Sequence, residues 1–383
     1  MISTLRIHLF LWIILWLGAA TSWGQQAADI SIDGYVRVMQ NTTLRSKLFS
    51  PGDGLLHNRI NVRGYLNDHW NVELGLRNRI LWGTTPKTIP NYGAFLNQDG
   101  LDLNLGGAWW EGKGAVGHST FDRLFIAYRS DQWRIALGRQ RINWGKNIIW
   151  NPNDVFNAYN FFDFDYAERP GTDALSVQHF LSGSTLVEFA TNGTKRFDEN
   201  TSMVRYAFNK NQYDWQFIMG KYKRDFVLGV GWEGVLKSVG FKGEASYFMG
   251  AESAFNASLS FDYYLKNGLY VLISSLYNQK GFTSNETDPF SNFSGYRLNV
   301  KQLMPNQNTV LLQLSKALAV QSSLSLTTLY AHELRGWILV PQWGYSLSQN
   351  WQLDCVGQFF YFNAQTASSS ATELLFLRMA YNF

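Results

Sequence analysis

Apolar and polar residues alternate along most of this chain with a period of two. Phe255, Ala257, Leu259, Phe261 and Tyr263 share one edge of an extended segment, and Asn256, Ser258, Ser260 and Asp262 take the other. Phe241, Gly243, Ala245 and Tyr247 alternate with Lys242, Glu244 and Ser246, and Ile60 and Val62 with Arg59, Asn61 and Arg63. The closing residues TELLFLRMAYNF set Leu375, Leu377, Met379, Tyr381 and Phe383 against Phe376, Arg378, Ala380 and Asn382. Such alternation predicts β-strands that separate two environments. The pattern places them at 31–43, 54–66, 70–82, 118–129, 133–144, 171–181, 184–192, 200–209 and 213–222. Further strands are predicted at 225–236, 239–250, 254–265, 268–279, 308–318, 321–333, 336–347, 350–363 and 372–383.

A soluble sandwich with one wet face also alternates. Two features favour a membrane barrel. These segments are long, where globular strands usually have about 5–6 residues and a tilted transmembrane strand needs about 9–11. Their apolar edges also begin or end in Trp, Tyr or Phe, as expected where a membrane meets water. The connectors agree. Leu66-Asn67-Asp68-His69, Ser130-Asp131-Gln132 and Ser182-Gly183 are tight, whereas the long excursions 83–117, 145–170 and 280–307 all fall on the side away from both chain ends. The fold class expected is all-β: a transmembrane antiparallel barrel of about 16–18 strands with long external loops.

Composition sharpens this reading. Aromatics make up 16% of the chain, with 33 Gly and 8 Pro. The first residues, MISTLRIHLFLWIILWLGAATSWGQQ, have a basic start, a short apolar run and a small-x-small site, the layout of a cleaved signal peptide over 1–24. The barrel domain then spans 25–383. Without Arg6 the balance is 32 basic against 29 acidic residues, or +3, too even to suggest a nucleic-acid partner. The single Cys355 excludes an internal disulfide.

In hydrocarbon a sheet must close, because every backbone polar group needs a partner. The strand ending at Phe383 is therefore expected to pair with the first strand. Its terminal aromatic residue resembles the C-terminal signal of outer-membrane barrels, which implies the barrel insertion machinery as a partner beside outer-membrane lipid.

Candidate chemistry concentrates in GRQRINWGKNIIWNPNDVFNAYNFFDFDYAERPGTDAL, residues 138–175. The apolar phase changes past Gly138, which predicts a β-bulge there and turns Arg139, Arg141 and Asn143 toward the lumen. Arg37, Arg59, Arg63, Arg77, Arg79 and Arg123 are expected to face inward too, since a charge facing lipid near the midplane costs about 2–4 kcal/mol. The loop adds Asp154, Asp163, Asp165, Glu168 and Arg169. Opposed charges in a wet pore predict a constriction selecting small polar solutes, and the surplus of Arg over acid on the strands favours anionic ones. The plainer alternative is that the arginines pair with the loop's acids and hold it in the barrel.

The stretch resembles a signature of porin-like barrels related to alginate-export channels and to an uncharacterised Gram-negative barrel family. The residues that carry this are Gly138-Arg139-Gln140, Asn143-Trp144-Gly145, Asn151-Pro152-Asn153-Asp154 and Glu168-Arg169-Pro170-Gly171. The resemblance implies a passive channel or exporter in the outer membrane.

Other motifs carry little. Gly229-Val230-Gly231-Trp232-Glu233-Gly234 fits GxGxxG but opens no helix. The sequons at Asn41 and Asn285 are patterns alone. His57, His69, His118, His179 and His332 lack metal-ligand spacing. No cofactor, metal or catalytic set is expected. A scaffold for an envelope or export complex, alone or as a homo-oligomer, is the competing reading; it would use the apolar excursion containing Trp109-Trp110.

Overall fold

The structure, a computed structural model, describes residues 29–44, 50–97, 103–157, 168–194, 197–282, 299–362 and 370–383. The expected signal peptide, Asp163, Asp165 and the Asn285 sequon lie outside these residues. The described residues form nineteen strands. They are β1 (Asp29–Thr43), β2 (Ser50–Tyr65), β3 (Trp70–Trp82), β4 (Gly106–Gly112), β5 (Ala115–Arg129), β6 (Trp133–Gln140) and β7 (Thr172–Ser182). Next come β8 (Thr185–Asn192), β9 (Thr201–Lys210), β10 (Tyr213–Tyr222), β11 (Asp225–Leu236), β12 (Val239–Met249) and β13 (Ala254–Tyr264). The last are β14 (Tyr270–Asn278), β15 (Asn308–Ala319), β16 (Ser322–Ala331), β17 (Gly336–Ser346), β18 (Trp351–Phe362) and β19 (Ser370–Asn382).

Eighteen of these close an antiparallel barrel, with β19 returning to β1 in a register running from Tyr35↔Asn382 to Thr43↔Leu374. The seam reaches the final residue. Gly34 and Phe383 exchange two backbone hydrogen bonds of 3.0 Å each. Gly34 is a glycine for a spatial reason: a Cβ there would lie 2.8 Å from Cζ of the Phe383 ring and 2.2 Å from the Arg59 carbonyl oxygen.

All eighteen expected strands are present, and the long excursions leave one end of the barrel while tight turns join the other. Two local differences share one cause. β6 ends at Gln140, short of the expected residue 144, and its pairing with β5 ends at Leu124↔Arg139. The unexpected β4 pairs with the upper part of β5 instead, from Gly106↔Thr120 to Gly112↔Ala115. The bulge expected at Gly138 does not occur, since both its ladders keep register. The residue adopts φ 122° instead, a conformation that glycine tolerates.

The outer face is apolar and exposed along most strands, including Phe217 at 49%, Ile273 at 48% and Leu377 at 54%. Aromatic pairs rim it. Trp70–Tyr128, Phe241–Phe261 and Trp351–Tyr381, with centroids 5.2, 5.0 and 5.0 Å apart, mark the short-turn end. Tyr330–Trp337 at 4.7 Å and Phe255–Tyr277 at 6.1 Å mark the other. This surface suits hydrocarbon between two interfaces.

The core lies inside. The lumen is narrowed, as expected for a loop held inside the barrel, and part of it is filled by apolar packing that the strand pattern did not predict. The chain leaves the wall after Gln140 and folds inward through residues 141–157, and a second segment, 299–307, joins it. Ile149, Trp150, Leu303 and Met304 pack on the inward Leu272, Leu276, Leu311, Leu329, Ile338 and Phe360. Ile142, Trp144, Val155 and Val300 pack on Met203, Ile218, Val227 and Phe248. One side of the barrel is thus filled at the apolar packing of a soluble core.

Candidate functional site

Polar side chains on the inner wall fix the inserted segments. Glu244 on β12, 1% exposed, accepts backbone N–H groups from Asn147 at 2.6 Å and Asn153 at 2.9 Å, and also from Lys146. One carboxylate therefore gathers three donors of a loop that has no regular structure to satisfy them. Gln216 donates to the Trp144 carbonyl at 2.5 Å, and the Ser246 and Ser258 hydroxyls donate to those of Pro152 and Trp150 at 2.9 Å each. Asn256 and Asn278 hold the second segment by its Val300 and Met304 carbonyls, at 2.9 and 2.5 Å. These inward polar residues face the loop's backbone where a wet pore would have put solute.

A cluster of charged groups lies along β1, β2, β3 and β5, with further ion pairs at Glu188–Arg205 and Asp354–Arg378. Arg59 Nη1 meets Asp122 Oδ2 at 2.6 Å and Arg77 Nε meets the same oxygen at 3.3 Å. Strict alternation would point Asp122 away from Arg123. The β3–β5 ladder skips it, pairing Gly75 with Arg123 and Leu76 with Phe121, and this irregularity gives Asp122 its buried place, 6% exposed. Glu168 accepts from the Tyr35 hydroxyl at 2.9 Å and lies 3.8 Å from Arg59. Arg37 stacks over the Tyr35 ring at 3.6 Å, and Arg63 pairs with Asp33 at 3.5 Å. Arg79 contacts His118 at 3.3 Å, and His118 contacts Asn97 at 2.7 Å. Arg123 donates to the Arg169 carbonyl at 2.7 Å, and Arg169 pairs with Asp154 at 2.9 Å.

Arg139 and Arg141, expected to act together, have different surroundings. Arg139 is 1% exposed, forked onto Asp173 at 2.8 and 2.9 Å, and bonded to the carbonyls of Phe121 and Leu103. It ties β6, β7 and the first excursion together where β6 leaves the wall. Arg141 and Asn143 are exposed. Arg141 lies within electrostatic reach of Arg169 and Asp154. The sequence reading missed Asp33, Asp122, Asp173 and Glu244 as partners. Asp122 directly preceding Arg123 was the available signal.

The Arg59–Asp122–Arg77 brace stands between two cavities. The outer one, about 310 Å³, is lined by Arg77 and Asp122 together with Asn97, His118, Asn157 and Tyr222. The inner one, about 300 Å³, is lined by Arg59, Arg63, Glu73, Arg123 and Glu168. No group of three or more His, Cys, Asp or Glu able to hold a metal occurs among the described residues.

Asp154 is expected to give this loop a pH dependence. Burial raises its carboxyl to about 6, an effect only partly offset by the Arg169 and Arg141 charges and a backbone hydrogen bond. Its pKa in the docked loop thus exceeds that of an exposed Asp, about 3.9. The contribution to docking is full below about 4 and is lost as pH rises through about 6. Protease protection of the loop is expected to be greater at pH 4.5 than at pH 7.5, and Asp154→Asn to flatten the difference. Equal protection of the native chain at both values would contradict this.

No family model matches the chain, and no curated protein matches it in sequence. Among solved structures it resembles Pseudomonas aeruginosa OccK7 (OpdD), with a TM-score of 0.55 at 10% identity over 93% of this chain and 99% of that one. A BenF-like porin from Pseudomonas fluorescens gives 0.56 at 9% identity, covering 93% and 98%. Pseudomonas aeruginosa OpdK with vanillate gives 0.56 at 8% identity, again covering 93% and 98%. The chain has the fold of these outer-membrane porin barrels.

Proposed function

We propose that the protein is a passive outer-membrane channel for small polar solutes, which pass along the charged side of the lumen. The observation that carries this is the pair of polar cavities in a closed, lipid-coated barrel, one on each side of the Arg59–Asp122–Arg77 brace. Porins among the structural neighbours, one solved with vanillate, support it. Two of the stretches that resemble alginate-export channels, 143–145 and 151–154, lie on the inserted loop, which fits the same reading, and the pairing of Phe383 with Gly34 fits insertion guided by the terminal strand.

An anion bias follows from Arg141, exposed beside Arg169. Most other lumen arginines have a carboxylate partner, so bracing is their larger role. A unit charge at about 4 Å in water contributes about 1 kcal/mol, roughly a fivefold preference. Purified protein in planar bilayers is expected to show stable ion conductance, and Arg141→Ala to lower the anion-to-cation permeability ratio by up to about fivefold. Silent bilayers would favour the scaffold reading, for which Trp109 and Trp110, 59% and 48% exposed, offer a contact surface.

A further inference from the structure

We infer that the outer cavity is a binding site for a small neutral solute rich in hydroxyl groups, a polyol or monosaccharide; its role as a recognition step rests on the channel reading above. The argument begins with Asn157, 2% exposed. Its Oδ1 accepts the Ile142 N–H at 2.9 Å, which fixes which way round the carboxamide lies. The Nδ2 donor is then left buried without an acceptor among the described residues, on a side chain that lines the cavity. A buried unsatisfied donor is costly, and a ligand oxygen removes that cost.

The charges around the cavity point to a neutral ligand. Arg77 is engaged by Asp122 and Arg139 by both oxygens of Asp173, while Lys223, the exposed cation of the lining, has its ammonium 5.6 Å from the centre of the Tyr222 ring. An incoming anion would have to displace a carboxylate to reach either guanidinium. Asp122, which meets Arg59 and Arg77 through Oδ2, also lines the cavity and brings a carboxylate acceptor to its wall. An orphan amide donor and a carboxylate acceptor in one cavity match a hydroxyl, which both takes and gives a hydrogen bond. Phe156 and Tyr222 supply apolar faces. Their rings are held edge-on by Trp144 and Phe248, with centroids 5.3 and 5.6 Å apart. Rigid rings beside a few placed polar groups suit a solute with a C–H face and hydroxyl edges.

The test is calorimetric titration of the full chain in detergent with D-glucose, and with D-gluconate as an anion of similar size. Glucose is expected to bind saturably and more tightly than gluconate, and Asn157→Leu to weaken glucose by about tenfold, the effect of losing one buried hydrogen bond. Tighter gluconate binding would overturn the neutral class, and absence of binding by both would overturn the site. The comparison of ligands on the native chain decides the matter even where Asn157→Leu folds poorly. In bilayers, glucose is expected to reduce ion current through the native channel. Calorimetric glucose binding without any conductance would overturn the channel reading while leaving the site intact.

Discussion

Glu244→Ala is expected to free the inserted loop from the wall and to raise single-channel conductance. The substitution removes one acceptor and strands three N–H donors, each costing about 1–3 kcal/mol when buried without a partner. Solvating those donors in the undocked loop avoids that cost, so docking loses most of its advantage. The barrel seam and lipid-facing belt are untouched, and the thermal transition of the β-sheet is expected to shift less than the loop's protease sensitivity rises. Glu244→Gln keeps one acceptor oxygen and should fall between the two. Unchanged conductance and an intact protease-resistant loop in Glu244→Ala would show that the apolar contacts of Trp144, Ile149 and Trp150 suffice without the carboxylate.

Arg139→Ala is expected to cost stability and leave selectivity alone, the reverse of Arg141→Ala. Breaking a buried ion pair by removing one partner costs about 3–5 kcal/mol, because the other is left charged and unpaired. Here Asp173 is left at 8% exposure, and the carbonyls of Phe121 and Leu103 lose their donor. Heat-modified mobility and the thermal transition measure the first effect, and reversal potential the second. Arg139→Lys should rescue little, since an ammonium cannot reproduce the two-pronged contact. A shifted reversal potential in a stable Arg139→Ala barrel would return this residue to the pore lining.

The strands were legible because each carries its own evidence. Along β18, Trp351, Leu353, Cys355 and Tyr361 form one edge, while Asp354, Val356, Gln358, Phe360 and Phe362 are buried inside. That inner edge holds a charge, an amide and three apolar side chains, and nothing local says whether water or protein covers them. What covers Phe360 and Phe362 comes from 148–150 and 303–304, far away in sequence, so the filled part of the lumen had no period to betray it. Gly106–Gly112 escaped for a different reason. Its seven residues form a strand because β6 turns inward at Gln140 and leaves β5 an unpaired edge. Among the candidate site residues, the arginines were found by their cost in lipid, but their partners were set by tertiary placement. Arg139 and Arg141 are two residues apart in sequence, and their exposures still differ because the chain leaves the sheet between them.

The lopsided filling of the barrel has an electrical consequence. An ion traversing it would travel between a wall of low polarisability and a wall of fixed charge pairs, so its potential would be skewed across the bore. A charge introduced on β2, β3 or β5 should therefore alter current more than the same charge on β14 to β16, where inserted chain separates wall from water. The molecule would conduct as a one-sided gutter, and mutational maps of its current should be crescent-shaped.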